Sequence, residues 1–352
     1  MSETRSPAVV DWYRSPLPPA LFKKLHERSD VKGWVQTGGF LAVVLATATL
    51  AFVSWWRHWP WWATLGLIFL HGMVSAFHTN GMHELGHGTV FKTKVLNKFF
   101  VQVLSFFGWL NYEMFDASHQ RHHRYTLHAP DDQEVVLPTK ILLRRYLQEA
   151  FFNWPFLKWA VPYQWRIARG RFQGEWELTC FPPEKPALRA AAIAWSRRLL
   201  LGHAAILAVS VALSFVVGRP LWIVPVLLSL APFYGAWLFL LCNHTQHVGL
   251  QDKVPDFRLC CRTIELNPVL RFLYWQMNYH TEHHMYAAVP CYNLKKLHEA
   301  ILPDMPPCPN GLVPAWRQII AILRRQAVDP TYQYVAPLPQ REGAVERSAV
   351  GA

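Results

Sequence analysis

Two long stretches of this chain are almost free of charge, and they limit its architecture more than any other feature. Between residues 36 and 82 the only Lys or Arg is Arg57, and between 199 and 241 the only one is Arg219. A helix needs about 20 apolar residues to cross a bilayer, so each stretch has room for two crossings. The sequence therefore predicts an all-α integral membrane protein with four transmembrane helices in two hairpins, near residues 36–55, 60–81, 199–217 and 220–241. Arg57 and Arg219 mark the two tips. All other basic residues fall on the opposite side, which the positive-inside rule makes cytoplasmic, together with both termini. Trp55, Trp56, Trp59, Trp61 and Trp62 crowd the first tip, as an interfacial aromatic belt would.

On this reading residues 1–35 form an N-terminal cytoplasmic or interfacial segment with a short helix near 21–28. Residues 36–329 form one membrane domain with a large cytoplasmic helical cap, and 330–352 a flexible Pro-, Gly- and charge-dotted tail. The apolar stretch 97–112 is short for a span. Crossing there would also separate the histidines before it from those after it, so it is expected to be re-entrant or interfacial. Residues 294–302 read as an amphipathic helix. The net charge of +12 follows mostly from topology and suits anionic headgroups and acidic partners. No basic helix or aromatic-interleaved platform points to nucleic acid. The six Cys contain no CxxC pair and read as reduced, packed thiols. The N-terminus lacks a basic region followed by an apolar one, so no cleaved signal peptide is expected.

The cytoplasmic side carries the chemistry. His280-Thr281-Glu282-His283-His284 repeats the pattern of His119-Gln120-Arg121-His122-His123, and His83 and His87 form an i,i+4 pair at the mouth of the second span. Residues three and four apart share a helix face, so each HxxHH run is expected to aim its three imidazoles at one point. With His247, the set exceeds what one ion can take, which implies two metal ions held by neutral imidazoles. Glu84, Asp116 and Glu282 stand beside or within these runs as partners for the second ring nitrogens. Of the other histidines, His78 is about 140° around a helix from His83 and points elsewhere. His71 and His203 lie within spans and are expected to bond to neighbouring helices.

The set HELGH, HQRHH and HTEHH around two membrane hairpins resembles the membrane fatty-acid desaturase superfamily over roughly residues 75–300. The VPCYNLKKLHEAI stretch after the third run resembles acyl-lipid and acyl-CoA desaturases. The resemblance implies a non-haem centre of two irons, O2 as co-substrate, and His83, His87, His119, His122, His123, His280, His283 and His284 as ligands. It also implies that an Asn and a His after the fourth span complete the site. Asn243 and His247 have that spacing, the His binding directly and the Asn through water, while His244 could take the role of Asn243 or pair with His247. The implied reaction places a double bond in a fatty-acyl or similar amphiphilic chain, with hydroxylation by the same superfamily as the alternative. Electrons would come from an external ferredoxin, rubredoxin or cytochrome b5, because no haem domain, CxxC rubredoxin pattern or G-x-G-x-x-G is present. A headgroup would sit among Arg144, Arg145, Arg166 and Arg169.

His83-Glu84-Leu85-Gly86-His87 also satisfies the H-E-x-x-H of zinc proteases, with Glu84 as general base. That reading leaves the other histidine runs unexplained.

Overall fold

The computed structural model describes residues 9–340, and among these it is all-helical, with only isolated bridges and no strand. A short helix α1 (Pro19–Leu25) precedes α2 (Asp30–Trp56), which is capped by Ser29 and followed by α3 (Trp61–Ser75). Then come α4 (His78–Gly86), α5 (Lys94–Phe107) and α6 (Tyr112–Tyr125). An insertion contributes α7 (Leu143–Phe151), α8 (Trp154–Ala168) and α9 (Gly174–Cys180), and leads into the 32-residue α10 (Pro186–Val217). The chain returns through α11 (Ile223–Leu228) and α12 (Trp237–Asn243). It closes with α13 (Phe257–Cys260), α14 (Pro268–Leu273), α15 (His280–Met285), α16 (Leu294–Ile301) and α17 (Leu312–Val328).

Two helices, α2 and α10, are long and apolar enough to cross a bilayer. Both run further than the sequence suggested, α2 starting at Asp30 and α10 at Pro186. The far end of α10 presents Phe215 and Val216 at 84% and 82% exposure, so protein packing does not cover its apolar surface.

The other two expected spans are not continuous helices. The stretch 60–81 breaks at Ala76–Phe77, between α3 and α4; fifteen residues of α3 reach only about 22 Å. The stretch 220–241 splits into α11, a 3-10 turn at Ala231–Phe233, and α12. Pro225 and Pro232 remove backbone donors there, and Gly235 takes φ +73. Gly235 also passes so close to α3 that a Cβ would stand 2.7 Å from Phe69 O and 2.8 Å from Met73 N. The broken backbone is satisfied by the 151–153 segment: Asn153 N donates to Phe233 O at 2.7 Å and Gly235 N to Phe151 O at 3.0 Å. Irregular buried backbone is tolerated where such protein partners satisfy it.

The segment expected to be re-entrant forms α5, which folds back against α4 with Phe100, Val101 and Leu104 buried. The main core lies under α2, α4, α14 and α15, around Phe40, Phe77, Trp275 and Tyr279. Within residues 331–340, Tyr334 N donates to Gly249 O at 2.9 Å and Gln333 Nε2 to Asp252 Oδ1 at 2.7 Å. The remainder of the expected tail, 341–352, lies outside the described residues.

Candidate metal centre

Nine histidines converge beneath α4, α6 and α15, and they form two adjacent groups. His83, His87, His119, His123 and His283 make one; His122, His247, His280 and His284 make the other. Within each group one ring nitrogen from every member lies within 4.8 Å of the rest. Each HxxHH run is therefore divided, against the expectation that it aims at one point. At 100° per residue His122 and His123 diverge by a quarter-turn and more, so α6 sends His119 and His123 to the first group and His122 to the second. The helix α15 does the reverse, sending His280 and His284 to the second and His283 to the first.

The outer ring nitrogens have fixed partners. His119 Nδ1 donates to Glu134 Oε1 at 2.7 Å, His122 Nδ1 to Asp132 Oδ2 at 2.8 Å and His83 Nδ1 to Glu84 Oε1 at 3.1 Å. His247 Nδ1 donates to Cys260 O at 2.8 Å, which leaves its Nε2 as a bare lone pair. Thr126 Oγ1 donates to His122 O at 2.6 Å, so it accepts from His284 Nδ1 at 3.1 Å. These partners assign the tautomers.

The inner nitrogens are then left facing one another. His280 Nε2 stands 2.9 Å from His247 Nε2 and 3.2 Å from His284 Nε2, and His123 Nε2 is 3.1 Å from His283 Nε2. Buried without a hydrogen-bond partner are Nε2 of His83, His87 and His119 and Nδ1 of His123, His280 and His283. An unsatisfied buried polar atom costs about 1–3 kcal/mol, so a cluster of this kind calls for cations that take the lone pairs. The donor set fits two imidazole-bound transition-metal ions.

Asn243 closes α12 and makes no side-chain hydrogen bond to the nine histidines among the described residues. His244 turns away, its Nδ1 on Leu240 O at 2.9 Å, and belongs to neither group. His78 bonds to Ser75 O, His71 to Leu227 O, and His203 to Ser229 Oγ and Phe106 O, as their positions in the sequence suggested.

Of the three expected carboxylate partners, Glu84 is 1% exposed and sits between His83 and His283, whose Nδ1 is 3.5 Å away. Glu282 instead accepts from Thr263 Oγ1 and His298 Nδ1, both at 2.5 Å, and pins α15 to α16. Asp116 accepts from Gln120 and touches no histidine. Sequence reasoning missed Asp132, Glu134 and Thr126. The acidic run Asp131-Asp132-Gln133-Glu134 just past the second histidine run was the available signal.

Burial pushes the imidazoles of His83, His87 and His247 down to about 3, and those of His119, His123, His280, His283 and His284 well below the ordinary value. His122 is the exception: burial works against its charge, but Asp132 and Glu134 raise it overall. Neutral rings are ready ligands. As pH falls below about 6.5 the unfolded chain takes up protons that the fold refuses, so stability is lost from that point toward pH 3. Metal-stripped protein in detergent should melt several degrees lower at pH 5 than at pH 7. Equal melting temperatures would show that the rings are not held neutral.

The chain matches the model of the fatty acid desaturase family over residues 59–312. It is similar to the chloroplastic omega-3 fatty acid desaturase of Glycine max, 26% identical over 75% of this chain and 58% of that protein. It is also similar to the chloroplastic temperature-sensitive sn-2 acyl-lipid omega-3 desaturase (ferredoxin) of Arabidopsis thaliana, 25% identical over 75% of this chain and 61% of the relative. The endoplasmic-reticulum omega-3 fatty acid desaturase of Vigna radiata var. radiata is 25% identical over 78% and 73%. The chain spans about six-tenths of the length of the first two. The matched stretch runs from the tip before α3 to the start of α17 and contains all nine clustered histidines; the chain belongs to the fatty acid desaturase family.

Proposed function

We propose that this chain is a multi-pass membrane oxidoreductase that places a double bond in an acyl chain, using O2 and two iron ions held by the nine histidines. The observation that carries the reading is the division of those histidines into groups of five and four that share α6 and α15. The proposed topology has α2, α3, α10 and the α11–α12 segment as four membrane elements, with the centre and both termini on the cytoplasmic side. Asn243 is proposed to act through water, since His247, four residues on, already lies in the second group.

A bound iron pair would supply the oxidising power to break an unactivated C–H bond; O2 would leave as two waters, taking two hydrogens from adjacent carbons of the chain, two electrons from the donor and two protons from solvent. The chain's own residues do the rest. Asp132, Glu134 and Glu84 hold the outer nitrogens, which fixes ring orientation and keeps the inner nitrogens free. The electrons come from a ferredoxin, rubredoxin or cytochrome b5 type donor, for which a chain of net charge +12 is an attractive surface.

Hydroxylation of the same chain is the competing outcome. The zinc-protease reading loses ground because His83 and His87 share their group with three further histidines and Glu84 is buried against His83. The test is iron-loaded protein in lipid vesicles with a reduced donor and O2, the products read by mass spectrometry. An alkene two mass units lighter than the substrate is expected; alcohol alone would sink desaturation.

A further inference from the structure

Two of the four arginines of the headgroup cluster expected from sequence are held by their own carboxylates. Arg166 forks onto Glu177, and Arg145 pairs with Glu149 at 2.7 Å. A different surface has free cations. A groove of about 510 Å3 runs between α4, α5 and the start of α6, within the range of about 300–1,000 Å3 typical of small-molecule sites. Met82, Leu85, Val101 and Phe115 line it together with His87 of the first histidine group, and its charged lining is the exposed Arg28, Lys94 and Lys98 against Glu113 and Asp116. None of these three cations has an ion-pair partner among the described residues, whereas Asp116 across the groove is engaged by Gln120.

Gly86 supplies an independent observation. It lines the groove next to His87, and a Cβ there would meet nothing within 4 Å. Gly88 needs its freedom, with φ +67, but Gly86 is helical and nothing packs against it. A helical glycine costs about 1 kcal/mol against alanine. Here it leaves open space beside a candidate ligand.

The height of the rim is set by α2. Thr93 donates its backbone N and Oγ1 to Asp30 at 2.9 and 2.8 Å, tying the start of α5 to the point where α2 begins its apolar run. Lys94 and Lys98 therefore stand at headgroup level, where long basic side chains favour phosphate. On the outer face of α5, Val95 and Phe99 are 67% and 55% exposed.

We propose that this groove is a lateral port for a bilayer glycerophospholipid, its phosphate on Arg28, Lys94 and Lys98, its acyl chain running past Gly86 toward His87. This rests on the reading of the protein as an acyl-chain oxidoreductase. Gly86 sets how thick a chain can pass.

The test uses full-length, metal-loaded protein in vesicles containing a phospholipid with a photoreactive acyl chain, and maps the crosslinks. Labelling is expected on the peptides that carry Met82, Leu85 and Val101. Gly86→Phe should cut that labelling about tenfold at unchanged metal content, and so should the Lys94→Glu/Lys98→Glu pair. Gly66→Phe is the control, because Gly66 on α3 is equally open yet outside the groove. Labelling that ignores Gly86→Phe, or that occurs only with a water-soluble acyl thioester, would overturn the lateral port. The measurement needs no turnover: a groove that labels in a protein that oxidises no lipid would defeat the proposed function alone, and turnover without groove labelling would defeat the port alone.

Discussion

Replacing His280 with alanine is expected to lower the metal content of the purified protein from two ions per chain to one, and to abolish turnover by on the order of 100-fold or more. The effect is large because His280 is the hub of its group, with its Nε2 within 3.2 Å of both His247 and His284. His283→Ala is its counterpart, removing a member of the five-histidine group whose Nε2 faces His123 at 3.1 Å. The two variants should lose different ions. Each should keep the spectroscopic signature of the site it has not touched, and neither should be active, because both sites serve one reaction. A variant that kept both ions, or two variants with the same residual spectrum, would count against two separate groups. Both rings are buried, at 2% and 0% exposure, so helical content is measured alongside metal content to separate loss of an ion from loss of the fold.

How much of this was legible beforehand depended on periodicity. The near-absence of charge along residues 36–82 and 199–241 pointed to the two long apolar helices α2 and α10, and the spacing of the histidine runs picked out eight of the nine clustered histidines, His247 following only from the family resemblance. The breaks at Ala76–Phe77 and around Gly235 went unread because hydropathy averages over residues. Pro225, Pro232 and Gly235 were in plain view, but only close passage to α3 shows why the chain stops being helical there. The division of each HxxHH run was also computable, since 100° per residue cannot keep three histidines at i, i+3 and i+4 on one line. Asp132 and Glu134 reach the histidines from a loop, where sequence distance carries no geometry. Arg262 was hidden differently, as one of many basic residues assigned to topology alone.

Arg262 is the second position where a single change should have a large effect. It is 6% exposed and has no carboxylate. Its Nη1 donates to Thr245 O at 2.7 Å and its Nη2 to Val248 O at 3.1 Å, on either side of His247, while its backbone N donates to Gln246 O at 2.8 Å. Two residues earlier Cys260 O accepts from the His247 ring, so the 260–262 segment holds both the backbone and the imidazole of one candidate ligand. Nε rests on Gln318 of α17 at 3.1 Å, which keeps the guanidinium plane from turning. Arg262→Met leaves two buried carbonyls without donors, at about 1–3 kcal/mol each. The turn should then relax and the four-histidine group lose metal affinity by about 10- to 100-fold, while the five-histidine group keeps its ion. Arg262→Lys retains the charge but not the fork, and should fall between the two. Metal titration of both variants, with helical content as the check on folding, reads the difference. Full affinity for both ions in Arg262→Met would reduce this arginine to a structural role, whereas loss of one ion alone would make it the residue that positions His247.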